Sequence, residues 1–174
     1  RPDARGRHRA PWFRGDVALT GDRIVAIGDL RGRTARVQVD ATGLIVAPGF
    51  IDMLGQSEFN VLVDGRAASK ITQGITTEIT GEGTSIAPVN DRMIKAAKPG
   101  WDHFGVVQDF TTLAGYFTRL ETRSKTAINI GTFVGLGGVR DFVIGRDNKP
   151  ATAADLEQMK KLVADAMEQG ALGV

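Results

Sequence analysis

The stretch Val46-Ala47-Pro48-Gly49-Phe50-Ile51-Asp52-Met53-Leu54-Gly55-Gln56 decides the fold that we predict for this chain. An apolar run leads to a Pro-Gly turn, and a short apolar strand follows and ends at a polar cluster. Short β-rich runs joined by turns come before the stretch, whereas strands alternate with helices after it. The stretch therefore predicts a boundary between two kinds of structure.

Residues 15–48 are predicted to form part of a small antiparallel β domain. The β-rich runs 16–19 and 23–27 flank Thr20-Gly21-Asp22, which is typical of a hairpin turn. Residues 37–40 alternate between apolar and polar, as in a half-exposed strand. Residues 44–47 indicate one more apolar strand.

Residues 49–174 are predicted to alternate between strands and helices. Strands are expected at 50–54, 75–80 and 127–134, with another beginning at 171. We expect a loop containing Pro88 and Pro99, and a tight turn at 135–138. The predicted helices are 67–73, ending at Gly74; a segment with Leu113, Tyr116, Phe117 and Leu120 on one face; and a segment capped by Thr152 with a buried stripe of Leu156, Met159, Val163, Ala166 and Met167.

This alternation favours parallel βαβ units and an α/β fold. A closed (β/α)8 barrel of the TIM type needs about 250 residues. Residues 49–174 therefore correspond to its first three βα units and the start of its fourth strand, so that we predict a truncated barrel. A complete four-stranded α/β domain is the alternative.

The composition excludes several classes of protein. With 174 residues and 42% hydrophobic residues, the chain can bury a core. It has no cysteine, which excludes disulfides, thiolate metal sites and a cysteine nucleophile and fits a reducing cytoplasm, our predicted location. No apolar run approaches the roughly 18–20 residues of a membrane span, so we expect no membrane partner.

Residues 1–14, with five arginines and one aspartate, are predicted to form an irregular basic arm. Such an arm could bind nucleic acid. We do not expect a nucleic-acid partner, because the basic residues stop where the periodic sequence begins and no nucleic-acid motif follows.

The active sites of parallel α/β folds form at the carboxyl ends of the strands, and this rule selects the candidate residues. Asp52 is a carboxylate that could orient site groups or accept backbone N–H groups at the strand end. Glu82, between two glycines after a strand, could be a metal ligand, a general base or a surface glutamate. The rule also selects Gln56, Ser57, Glu58, Thr84, Ser85, the loop 135–138 and Arg140.

Three of these residues are predicted to bind substrate, namely Gln56, Ser85 and Arg140. Gln56 is a poor zinc ligand but could hydrogen-bond a substrate amide or be a solvated polar group of the loop. Arg140 could reach an anionic group or form a surface ion pair. Asp52 and Glu82 are the predicted catalytic residues, and Glu82 is also the predicted metal ligand. His103 has no partner histidine at metal spacing, and the glycine loop lacks the spacing of a phosphate-binding loop.

Several ordered landmarks resemble the N-acyl-D-amino-acid deacylase branch of the amidohydrolase superfamily. They are FRGDVAL (13–19) followed by GDRIVAIG (21–28), the PGFID segment (48–52), QGITTEITG (73–81) followed by SIAP (85–88), and MKKLVADAMEQGALGV (159–174). The resemblance implies a β-sandwich, a metal-dependent hydrolase barrel, and zinc that activates water to attack the amide of an N-acyl amino acid. It also suggests that residues 1–14 are mis-translated, because a shifted frame could encode the family's Asp-Gly-Thr-Gly turn.

The sequence departs from the family pattern at the metal site. The two positions of the family's His-x-His pair are Leu54 and Gln56, the bridging cysteine has no equivalent near Glu82 or Gly83, and a further histidine aligns with Leu136. In one hypothesis, the full-length protein keeps one zinc ion with Glu82 as a ligand and hydrolyses an amide. In the other, the metal is lost and the barrel is a binding module. In both, we expect the isolated 174-residue chain to be inactive, and its oligomeric state is left open.

Overall fold

A computed structural model describes residues 13–174 of the protein. The contacts within the chain divide it into two compact units, with the boundary between Val46 and Ala47. The basic arm predicted for residues 1–14 falls almost entirely outside the described residues.

The first unit contains an antiparallel hairpin. Strands β1 (Asp16–Thr20) and β2 (Arg23–Gly28) pair, and Gly21 takes a φ of +59° in the turn between them. The Asp16 carboxylate accepts a hydrogen bond of 2.9 Å from the Leu30 backbone N–H, which fixes the segment after β2. The predicted hairpin is confirmed.

The prediction of strands at 37–40 and 44–47 is wrong, because neither segment forms a strand in the structure. Within residues 13–46, the only sheet is the two-stranded hairpin. A strand needs a neighbour to pair its backbone groups and to cover its apolar face. Neither segment has such a neighbour in the described chain, and the side chain of Val39 is 82% exposed.

The second unit is built on a parallel sheet in the order β3-β4-β5. Its strands are β3 (Phe50–Asp52), β4 (Ile75–Thr80) and β5 (Asn129–Thr132). Beyond them, the Leu172 N–H donates to the Thr132 carbonyl and the Val134 N–H donates to the Gly173 carbonyl, each at 2.9 Å. The final residues therefore run beside β5 in the manner of a fourth strand, and the predicted α/β class is confirmed.

Six α-helices connect and cover these strands. They are α1 (Asn60–Val63), α2 (Ala68–Ile71), α3 (Asp91–His103), α4 (Leu113–Arg119), which continues into a π-helical turn (Leu120–Ser124), α5 (Leu136–Ile144) and α6 (Ala153–Glu168). None of the helices within residues 13–174 is both long and apolar enough to cross a membrane.

The core lies between the sheet and these helices. Leu113, Tyr116 and Leu120 are buried on one face of α4 and its extension, as their spacing predicts. Ile130 of β5 packs against the same cluster, which shows that its face of the sheet is the helix-covered one. Several apolar side chains of the first strand and the residues after it are more than half exposed, namely Phe50, Ile51, Met53 and Leu54.

Two segments predicted as loops are helical. Helix α3 continues through Pro99, which cannot donate a backbone hydrogen bond. The Asn90 side chain caps the start of α3, and Trp101 packs edge-on against Phe59 at 5.0 Å near its end. The predicted glycine turn at 135–138 is the start of α5.

Helix α6 confirms its predicted N-terminal cap but only part of its predicted buried stripe. Thr152 and Asp155 form a reciprocal capping box at its start, which confirms the predicted cap. Of the predicted buried stripe, Ala166 is buried, but Leu156 and Met167 are 47% and 43% exposed. Met159 and Val163, in the middle of the stripe, are partly buried against the core cluster.

Candidate active site at the carboxyl ends of the strands

The loops that follow the three strands lie side by side. After β3, the Gly55 N–H donates to the Ile79 carbonyl of β4 at 2.9 Å. After β4, the Gly83 carbonyl accepts from the Gly137 N–H at 2.8 Å. The structure therefore brings the residues selected by the strand-end rule to one edge of the sheet.

Ser85 links the loops after β4 and β5. Its hydroxyl oxygen accepts from the Gly135 N–H at 3.1 Å and donates to the Ala87 carbonyl at 2.6 Å. A Cβ at Gly135 would collide with the backbone of Thr84, so the two loops touch closely at this glycine. Binding of substrate by Ser85 stays a prediction, and the structure gives its hydroxyl a role in joining two loops.

Arg140 lies in α5, and its guanidinium closes the loop after that helix. It donates to the carbonyl oxygens of Gly145, Asp147 and Lys149, each at 2.9 Å. Its predicted contact with an anionic substrate stays a prediction.

Gln56 and Glu82 are exposed at the strand ends. Glu82 stands between Gly81 and Gly83, whose φ angles are +88° and +73°. These are left-handed conformations, which favour glycine. Both side chains are therefore accessible to a ligand, as their predicted roles require.

Asp52 belongs to a partly buried charged network with Lys70 and Glu78. The Lys70 ammonium donates to Asp52 at 2.6 Å and lies 3.5 Å from the Glu78 carboxylate. The Glu78 side chain is fully buried, and those of Lys70 and Asp52 are 19% and 27% exposed. The network thus joins the end of β3, helix α2 and the middle of β4.

The parallel register explains how the network forms. Asp52 and Glu78 are direct partners on β3 and β4, and Ile130 continues the row on β5. Partners in a parallel ladder point to the same face, which here is the face that the helices cover. Lys70 reaches this face from α2, which precedes β4 in the chain.

The charges of the network stabilise one another. The Lys70 hydrogen bond, helped by the backbone N–H of Leu54, lowers the pKa of Asp52. The hydrogen bond to Asp52 raises the pKa of Lys70, and the nearby Glu78 charge adds to this effect. Asp52 therefore remains ionised and bonded, which fits both of its predicted roles, as a group that orients neighbours and as an acceptor of backbone N–H groups.

The Glu78 carboxylate contacts the backbone of the loop after β3 at Gly55 and Ser57. One carboxylate oxygen accepts from the Ser57 N–H at 3.0 Å, and a Cβ at Gly55 would collide with the same carboxylate. Its other oxygen is buried and has no hydrogen-bond partner among the described residues.

Glu58 is a second carboxylate of this region with an unpartnered buried oxygen in the described structure. Burial raises the pKa of Glu58, and the charge of Glu78 contributes to the rise. The Tyr116 hydroxyl donates to the Glu58 carbonyl at 2.9 Å, and burial raises the pKa of Tyr116. This region thus contains three carboxylates, and the Lys70 ammonium pairs with two of them, Asp52 and Glu78.

Sequence reasoning missed Lys70 and Glu78. The signal for Glu78 was its position inside the β-branched strand 75–80, where a buried carboxylate needs a partner. Lys70 carried no comparable signal, because a lysine on a short helix is ordinarily a solvated side chain.

The described residues do not fit a complete zinc centre. Between residues 13 and 174, no three histidine, cysteine, aspartate or glutamate side chains are grouped closely enough to hold a metal. Leu54 is 62% exposed and offers no ligand atom, and His103 lies at the exposed end of α3 against Phe104. Glu82 as a metal ligand stays a prediction.

No protein-family model matches the chain. It is 36% identical over 165 residues to a D-aminoacylase from Alcaligenes xylosoxydans xylosoxydans, a match that covers 94% of this chain and 34% of the relative. It is 33% identical over 170 residues to an N-acyl-D-aspartate deacylase from the same organism, covering 94% of this chain and 33% of the relative.

The fold is similar to a solved structure of the same kind. The crystal structure of N-acyl-D-glutamate deacylase from Bordetella bronchiseptica, with zinc and a phosphonate inhibitor, matches with a TM-score of 0.80 and 35% identity. That match covers 94% of this chain and 34% of the solved one. The chain thus spans about a third of the length of these relatives. Over almost all of its residues, the chain is thus similar in sequence and in fold to N-acyl-D-amino-acid deacylases.

Proposed function

We propose that the protein is part of a hydrolase that cleaves linear amide bonds and removes the acyl group from N-acyl amino acids. The observation that carries this proposal is the similarity to deacylases over 94% of the chain in both sequence and fold. The accessible polar residues at the strand ends support it, because the active sites of parallel α/β folds form there.

We further propose that residues 49–174 are the first half of a (β/α)8 barrel and that 15–48 belong to a β-sandwich. The parallel order β3-β4-β5, with the next segment running beside β5, supports the barrel. The exposed apolar side chains of Phe50 and Ile51 in β3 support a further neighbour for that strand.

In the complete protein, zinc would supply an activated water for attack on the amide. Of the described residues, Glu82 is the proposed zinc ligand and Gln56 the proposed partner of the substrate amide. Because residues 13–174 do not group into a metal centre, most of the ligands would come from outside them, and no reaction step at the metal is assigned to this chain.

A metal-free binding protein is the second candidate. The observations in its favour are Leu54 and Gln56 in place of the family's histidine pair and the lack of a metal-binding group among the described residues. Such a protein would bind an N-acyl amino acid without turning it over.

Metal analysis and an assay of the full-length protein separate the two candidates. If the protein is a hydrolase, it should contain about one zinc ion per chain and release free amino acid from N-acetyl-D-amino acids. Glu82→Ala should lower both zinc content and turnover, while Glu168→Ala, at an exposed position of α6, should lower neither. Binding of the substrate without zinc and without turnover would reject the enzyme and support the binding protein.

The isolated 174-residue chain is expected to show no deacylation, because it lacks a complete metal centre among its described residues. Deacylation by this chain that survives repurification and is lost in Glu82→Ala would contradict this expectation.

A further inference from the structure

The loop after β3 rests on a single fully buried carboxylate. Glu78 accepts from the Ser57 N–H at 3.0 Å and fills the space against Gly55, two residues that flank Gln56. A carboxylate in this position cannot exchange its bond for water, because its side chain is inaccessible.

Glu78 is held in turn from helix α2 and strand β3. The Lys70 ammonium lies 3.5 Å from Glu78 and 2.6 Å from Asp52, whose second oxygen accepts from the Leu54 N–H at 3.1 Å. Backbone N–H groups on both sides of Gln56, those of Leu54 and Ser57, are therefore bonded to one charged network.

This arrangement differs in kind from a surface ion pair. Its members come from three separate elements of the fold. Each of the two carboxylates lies within ion-pair distance of the Lys70 ammonium and also accepts a hydrogen bond from a backbone N–H of the loop. Charge-assisted bonds of this kind are stronger than neutral ones and fix geometry where water is excluded.

We propose that Glu78 is a positioning residue, which together with Lys70 and Asp52 holds the Leu54–Ser57 segment and so places Gln56 at the active-site edge of the sheet. Glu78 acts through the loop backbone and does not itself contact the substrate. The proposal rests on the proposed deacylase function for its kinetic consequence, but its structural consequence is independent of that function.

Two readouts on the full-length protein test the proposal. The first is hydrogen–deuterium exchange of peptides covering residues 53–58, and the second is kcat and KM for an N-acetyl-D-amino acid. The variants are Glu78→Ala, which removes the acceptor; Glu78→Gln, which keeps an oxygen acceptor for the Ser57 N–H; and Glu157→Ala, which breaks an exposed pair with Lys160 as a control.

In Glu78→Ala, exchange in residues 53–58 should accelerate by about tenfold while the strands keep their protection. Turnover should fall by about 10- to 100-fold, with a smaller change in KM, because misplacement of a site group reduces kcat. Glu78→Gln should restore most of both properties, and the Glu157→Ala control should match the wild type.

Exchange that accelerates evenly over the whole sheet, or a Glu78→Gln variant as impaired as Glu78→Ala, would overturn the positioning role. If the wild-type protein hydrolyses no N-acyl amino acid, the proposed function fails, and the exchange result still decides the positioning role. Unchanged exchange in residues 53–58 of folded Glu78→Ala would reject it outright.

Discussion

The edge of the parallel sheet carries two kinds of acidic residue. Glu82 is exposed between two glycines and is free to meet a ligand, whereas Glu78, four residues earlier, is fully buried and bonded to the backbone of the neighbouring loop. Position at a strand end therefore selects candidates for contact with substrate, while the register of the sheet decides which carboxylates support them.

The largest expected effect is that of Lys70→Met. It leaves Asp52 and the buried Glu78 without their shared cation, so the free energy of unfolding should fall by about 3 kcal/mol. Chemical denaturation of the variant measures this loss. Lys161→Met, which breaks an exposed pair with Asp165, is the control and should cost less than about 0.5 kcal/mol. If both variants lost the same free energy of unfolding, the Lys70 ion pairs would contribute no more to stability than an exposed pair does.

Gly55→Ala should have the next largest effect. Its new methyl group would collide with the Glu78 carboxylate, and overpacking of this kind costs about 2 kcal/mol. Gly100→Ala is the matched control, because Gly100 lies in α3 with open space at its Cβ position, and it should stabilise the protein slightly. A neutral Gly55→Ala would show that the loop is not packed on Glu78.

Glu58→Gln should change the pH dependence of stability. The pKa of Glu58 is raised in the folded state, so the folded protein loses stability as the pH rises from the ordinary value of 4.5 through the folded value. The variant should therefore gain stability relative to the wild type at pH 7 but not at about pH 4. Denaturation curves at both pH values measure the gain, and an equal difference at both would contradict a buried, repelled carboxyl group.

The smallest expected effect on stability is that of Glu82→Ala. An exposed side chain between glycines supports no packing, so its removal should change the free energy of unfolding by less than about 0.5 kcal/mol. The same denaturation assay tests this expectation. A loss comparable with that of Lys70→Met would mean that Glu82 is structural.

Much of the second unit could be predicted from local sequence. The β-branched run 75–80 predicts β4, and Thr152 with Asp155 predicts the start of α6, because both signals act between near neighbours. The path of α3 through Pro99 could not be predicted, since the aromatic contacts of Trp101 come from distant segments.

The residues of the candidate site likewise fall into two groups, those that the sequence predicts and those that it does not. Asp52, Gln56 and Glu82 follow from their positions at strand ends, a rule that needs only the order of the elements. The partnership of Asp52 with Glu78 depends on the register of two strands, and that of Lys70 depends on how a short helix lies over them. Neither relation is encoded in any single stretch of the sequence.

A double-mutant cycle between Lys70 and Glu78 tests most directly whether the charged network of Asp52, Lys70 and Glu78 acts as a unit. The free energies of unfolding of the wild type, Lys70→Met, Glu78→Gln and the double variant give the coupling between the two side chains. A functioning network predicts that the two losses are not additive and that the coupling exceeds about 1 kcal/mol. Additive losses, with a coupling near zero, would contradict the claim that Lys70 and Glu78 together hold the loop after β3.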